Sequence, residues 1–134
     1  MTISLFIIAF HFDLSNAYKL DRSFTQHSKR EENFTGSVTF FDAGLGACGT
    51  KNTNSDLVCA ISKERFGESP GDNPNKNQNC GRQIKVTRDS KSVIVTVVDI
   101  CTECQRDDLS LTPAAFNQLA DPSEGRVKCT WEFL

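Results

Sequence analysis

Six cysteines, two histidines and a few carboxylates are the residues of this 134-residue chain whose types and spacing can do chemistry. Cys101-Thr102-Glu103-Cys104 is a CxxC, a spacing shared by zinc sites and thiol redox sites. A zinc site would normally add a second CxxC or a His pair, and the sequence has neither. A redox CxxC usually opens a helix in a strand–helix–strand unit, whereas this one follows a strand-like run and precedes an acidic stretch. With Cys48, Cys59, Cys80 and Cys129 it makes an even count that reads as a disulfide framework, with no metal and no cofactor implied. Asp99 ends a strongly apolar run, and Asp107-Asp108 follow the CxxC. A carboxylate at the end of a buried strand can be tuned to act as a general acid. The preferred reading of Asp99 is structural, accepting backbone N–H bonds at a tight turn, while Asp107 and Asp108 read equally as functional carboxylates or as a solvated acidic turn. Gly44-Leu45-Gly46 is not followed by a long helix, so it does not read as a phosphate loop.

The front of the chain removes further options. Ile3, Leu5, Phe6, Ile7, Ile8, Ala9, Phe10 and Phe12 form an apolar core too short to span a bilayer, and Ser15-Asn16-Ala17 supplies small residues for signal-peptidase cleavage. Residues 1–17 are therefore expected to be a signal peptide, which directs the product to the extracellular space or cell wall. Residues 18–35 form a polar pro-segment or linker. Lys29-Arg30 within it reads either as a processing site, cut after Arg30, or as a charged linker. Asn33-Phe34-Thr35 is an N-glycosylation sequon at Asn33. No other stretch is apolar enough to span a membrane. A mature chain starting at Glu31 carries 11 Lys and Arg against 15 Asp and Glu, a balance that argues against nucleic acid or anionic membrane as partner. It also loses His11, His27 and Tyr18. Without imidazole, Ser-His-Asp and Cys-His catalysis, His-ligated metals and a histidine pH switch are excluded.

The elements that must position the remaining residues are mostly strands. Ser37–Phe41 is β-branched and aromatic, and Arg82–Arg88 alternates with Ile84 and Val86 on one face. Asp89-Ser90-Lys91 reads as a turn. Ser92–Ile100 is apolar on both faces, as in a strand buried on both sides. In the last strand Val127, Cys129, Trp131 and Phe133 share one parity. Thr112 as N-cap and Pro113 at the first helical position predict a short helix over Ala114–Leu119, and Ser62–Phe66 is a second short helix ended by Gly67. The Pro-, Gly- and Asn-rich run between Gly67 and Gly81 reads as a long surface loop, pinned at Cys80. A single β-domain over residues 36–134 follows.

Six ordered blocks then become diagnostic. They are GSVTFFDAGLGACG (36–49), DLVCAIS (56–62), NCGRQIKV (79–86), VVDICTEC (97–104), DLSLTPAAF (108–116) and GRVKCTW (125–131). Together they resemble the rare lipoprotein A-like double-psi β-barrel family, in its small secreted fungal branch related to barwin, expansin domain 1 and papain inhibitors. The resemblance implies a mainly β fold, a six-stranded double-psi barrel with one or two short helices and a groove across it. By the barwin pattern it implies bridges Cys48–Cys80 and Cys59–Cys101. Cys104 and Cys129 are then left either as a third bridge or, for Cys129, as a buried thiol. In relatives with glycan activity, acidic groove residues carry the function, and Asp99 and Asp108 occupy the matching positions. The usual Arg after the first carboxylate is Ile100 here, and the His of the expansin signature is missing before Asp107-Asp108.

The expected groove therefore comprises Asp99, Asp107, Asp108, Phe41 and Asp42. No catalytic residue is expected, with Asp99 and Asp108 the alternative pair. Sugar grooves present aromatic platforms, but the single Trp, Trp131, has core parity, and either Phe40 or Phe41 supplies only a small outward patch. Expansins also carry a second, aromatic-lined domain, so wall loosening ranks last. The expected function is a monomeric, secreted binding or effector-type protein with an extracellular protein target, in its sharpest form a papain-like cysteine protease, or a wall polysaccharide. The alternative is a glycan-active protein of the lytic transglycosylase or expansin type.

Overall fold

The computed structural model describes residues 32–134. The expected signal peptide, Lys29-Arg30, both histidines and Tyr18 lie outside the described residues. The elements in chain order are β1 (Phe34–Phe40), β2 (Val58–Ser62), α1 (Lys63–Phe66), β3 (Gln83–Arg88), β4 (Lys91–Cys101), β5 (Leu109–Leu111), α2 (Pro113–Phe116) and β6 (Val127–Phe133). The six strands close into a barrel in the order β1-β5-β2-β4-β3-β6. The β1/β5 and β2/β4 pairs are parallel and the other four antiparallel. Closure gives every strand two partners and removes exposed sheet edges.

A closed barrel has one interior, and alternation decides what fills it. Val38, Ile84, Val86, Val95, Val97 and Trp131 point inward and are essentially inaccessible. β4 is not buried on both faces: its outward Ile94 remains 46% exposed. β1 starts at Phe34, ahead of the Ser37 expected from sequence, because Phe34 packs on Trp131 with ring centroids 4.7 Å apart. α2 spans only one turn; Thr112 takes the N-cap position ahead of Pro113 as expected, but its side chain makes no capping hydrogen bond. The Thr112 hydroxyl donates to the Asp56 and Val58 carbonyls, tying the helix start to the chain entering β2. In α1 the Ser62 side chain does cap, accepting from the Arg65 N–H at 3.1 Å.

The loop after Gly67 lies on the surface, as expected, and is anchored at two points. Asn77 and Asn79 are buried, and their amide groups donate to the carbonyls of Arg65, Phe66 and Glu68 at 2.9–3.2 Å. Cys80 at its end is bonded to Cys48.

The second bridge differs from the family pattern. Cys101 is bonded to Cys104, and Cys59 and Cys129 are free, buried thiols. Neither Cys59–Cys101 nor Cys104–Cys129 exists. In the β2/β4 register Cys101 lies opposite Ser62, three residues along the strand from Cys59. That offset is about 10 Å at the rise of a strand, outside the Cα–Cα reach of a disulfide. Cys129 sits opposite Gly36 with its side chain in the core, while the turn after β4 brings Cys104 to a Cα–Cα distance of 5.4 Å from Cys101.

Candidate functional site

The site follows from one irregularity in β4. Cys59 faces Val97 but the next residue, Ala60, faces Asp99, so Val98 is an extra residue in the parallel pairing. Such a bulge reverses the alternation locally. Val97 and Val98 are consecutively buried, and Asp99 is turned to the barrel rim.

The bulge also frees a carbonyl. Val98 O accepts from the Cys48 N–H at 3.1 Å, which docks the loop between β1 and β2. The docking is so close that a Cβ on Gly46 would lie 2.4 Å from Val98 O. Asp99 completes the bracket: its Oδ1 accepts from Ala47 N at 2.9 Å and from Ile100 N at 2.8 Å. No protein donor reaches Oδ2 among the described residues. Asp108 is committed on both oxygens, Oδ1 to Ser37 N at 2.9 Å and Oδ2 to Gln105 N at 3.1 Å.

Between these carboxylates runs an open groove of about 360 Å³. Asp99 and Asp108 line it with Phe40, Phe41, the Cys101–Cys104 turn and Arg126. Phe40 is 42% exposed and rests on Phe116, with ring centroids 4.9 Å apart.

Two expected groove residues lie elsewhere. Asp107 does not line the groove: its Oδ1 accepts from Arg65 Nη2 at 2.7 Å and from Nε at 3.2 Å, while its carbonyl accepts from Trp131 Nε1 at 2.8 Å. Arg65 in turn stacks on the Phe34 ring at 3.8 Å. Asp42 is exposed, accepts from Asn54 Nδ2 at 3.2 Å and does not line the groove either. Sequence reasoning missed Arg126 and the disulfide turn. Only the position of Arg126 in the GRVKCTW block hinted at the first, and the CxxC spacing itself signalled the second.

Chemically, the arrangement is a rigid acidic rim with one positive charge and two Phe rings. Among the described residues no group of three His, Cys, Asp or Glu side chains is placed to hold a metal ion, and no helix is long and apolar enough to cross a membrane. The free thiols are inert by burial: Cys59 is pushed well above the ordinary thiol range by desolvation, and Cys129 up to about 11.

Comparison with known proteins agrees with this architecture. A family model described as "Lytic transglycolase", of the double-psi β-barrel type, matches residues 33–131. An Asp f 7 allergen homolog of Arthroderma benhamiae is 36% identical over 86 residues, which are 63% of this chain and only 28% of that protein. A papain inhibitor of Streptomyces mobaraensis is 33% identical over 106 residues, 77% of this chain and 73% of the inhibitor. A solved Streptomyces papain inhibitor superposes with a TM-score of 0.71 at 34% identity, covering 77% of this chain and 94% of that one. A Clavibacter michiganensis expansin in complex with cellohexaose shares the fold, with a TM-score of 0.65 at 23% identity over 77% of this chain and 50% of that one.

Proposed function

Since the chain belongs to the rare lipoprotein A-like double-psi β-barrel family, whose model is described as "Lytic transglycolase", we propose that it is a secreted, non-catalytic binding module directed at a papain-like cysteine protease. The observation that carries this reading is likeness at nearly full length: the solved papain inhibitor is matched over 94% of its chain, whereas the Asp f 7 homolog is matched over 28%. The groove chemistry supports it. Asp108 has both oxygens, and Asp99 one, engaged by backbone N–H groups, so the carboxylates serve as brackets that hold loops. Loops held in this way lose little entropy on docking to a protein surface. The two bridges suit an oxidising, extracellular compartment, and Asn33 is exposed where a glycan would attach. The test is a titration of papain with the purified protein. Inhibition at micromolar concentration or below is expected; full papain activity at that concentration refutes the reading.

A second reading, glycan action, is favoured by the family description together with Asp99, whose Oδ2 has no protein donor among the described residues and which lines a groove shared with Phe40 and Phe41. It requires release of fragments from chitin, glucan or peptidoglycan, abolished by Asp99→Asn and by Asp108→Asn. No release by the wild type ends it.

A further inference from the structure

The CxxC is the one chemically distinctive motif that a binding role leaves unused. We propose that the Cys101–Cys104 disulfide is a thiol–disulfide exchange site, an oxidant for small thiols that are neutral or positively charged. This inference is independent of the protease reading.

Three observations carry it. The bond is in the groove: Cys101 and Cys104 line its rim, both are partly exposed, and Thr102 and Glu103 at the tip of the turn are open to solvent. It also contributes less to the fold than the other bridge. It closes a sequence separation of 3 against 32 for Cys48–Cys80, so it restricts the unfolded chain far less. The segment after it is anchored separately, by Ser62 Oγ on Arg106 O at 2.7 Å, by the Arg65–Asp107 ion pair and by Asp108 N on Gln105 O. Thirdly, the two sulfurs have no competing partner. Cys59 and Cys129 are buried in the barrel, and the Cys104 N–H on Cys101 O at 3.3 Å keeps the 101–104 turn closed, so a thiol released there stays beside its former partner.

In the reaction a thiolate of the small thiol attacks one sulfur of the pair. The Cys101–Cys104 bond breaks, a mixed disulfide forms, and the other cysteine leaves as a thiolate that takes a proton from water. A second thiolate attacks the sulfur of the mixed disulfide that belongs to the small molecule. It releases the oxidised small disulfide and leaves the Cys101/Cys104 dithiol, so two thiols lose two electrons in all and the protein gains them. Selectivity comes from charge. Asp99, Glu103 and Asp108 face the groove against a single Arg126, so an anionic thiol is repelled and a cationic one is drawn in.

The experiment exposes the native protein to cysteamine or to 2-mercaptoethanesulfonate at matched thiolate concentration and low ionic strength. After acid quenching, the opened cysteines are alkylated and mapped by mass. Cys101 and Cys104 should open while Cys48–Cys80 stays closed. Cysteamine should react about tenfold faster than the sulfonate, and salt or Glu103→Gln should shrink that ratio. Equal rates for the two thiols, or Cys48–Cys80 opening first, overturn the proposal. Stability supplies an independent arm. The Cys101→Ser, Cys104→Ser double variant should remain folded and lose less melting temperature than Cys48→Ser, Cys80→Ser. An unfolded Cys101→Ser, Cys104→Ser protein would make the bond a structural staple and overturn the proposal too.

Discussion

Replacing Asp99 by Ala and by Asn separates the two roles a carboxylate at this position can have. In the bracket role Oδ1 accepts from Ala47 N and Ile100 N, and removing it leaves two backbone donors without an acceptor at a partly buried rim. Hydrogen bonds to a charged group are worth about 1.5–3 kcal/mol each, and partial exposure puts these at the low end, so Asp99→Ala should cost about 3 kcal/mol. For a domain of this size that corresponds to a fall of roughly 12–24 °C in Tm. Asp99→Asn keeps an oxygen in place and should cost about 1 kcal/mol or less. Thermal unfolding followed by circular dichroism gives both numbers, and amide exchange at Ala47 shows whether the loop between β1 and β2 has come loose. If Ala and Asn variants melt within a degree or two of each other, the bracket argument is wrong. If Asn leaves Tm unchanged but abolishes a measured glycan release, Asp99 is an acid instead.

Four further outcomes are expected. Gly46→Ala drives a Cβ into Val98 O and should lower stability by about 1–3 kcal/mol, with loss of Ala47 amide protection as the local readout. Asn77→Ala removes the donor to Phe66 O, Glu68 O and Ser69 Oγ; it should cost about 1–3 kcal/mol and expose residues 67–81 to limited proteolysis. Neither Cys59 nor Cys129 should react with a thiol reagent at pH 8 in the native protein, and both should react in denaturant. The raised Cys129 ionisation also has a sign: the unfolded chain releases that proton near pH 9.0 and the folded chain near 11, so its contribution to stability is complete below pH 9 and falls away towards pH 11. A Cys129→Ala variant should make that alkaline decline shallower in denaturant titrations, the remainder coming from Cys59, and an unchanged decline rejects the assignment.

Legibility varied with the kind of signal. β3 and β6 were readable because half-buried strands alternate, and Ile84, Val86 and Trp131 fall on the inner face as their parity requires; β4 was readable only as a strand, since its continuous apolar run concealed that Ile94 faces outward. β2 and β5 are short and buried at every position, so they carry no period-2 pattern and entered only through family resemblance. Thr112 was read as a helix cap from its neighbours, but its hydroxyl was taken by carbonyls more than fifty residues away, which no local rule registers. Asp107 and Asp108 are adjacent and alike in sequence. One is drawn to Arg65 and the other to Ser37 and Gln105, and the split depends on which way the chain turns after β4.

By itself, the sequence determined that this is a cysteine-linked β-domain with carboxylates as the candidate acids or bases, because composition, parity and block spacing are local properties of the chain. The tertiary structure alone decided which cysteines meet and what Asp99 does. Both depend on the register between β2 and β4 and on the single extra residue, Val98, that turns Asp99 outward and leaves a carbonyl for the loop carrying Cys48. That register places Cys101 out of reach of Cys59, and the turn that follows delivers Cys104 to it instead.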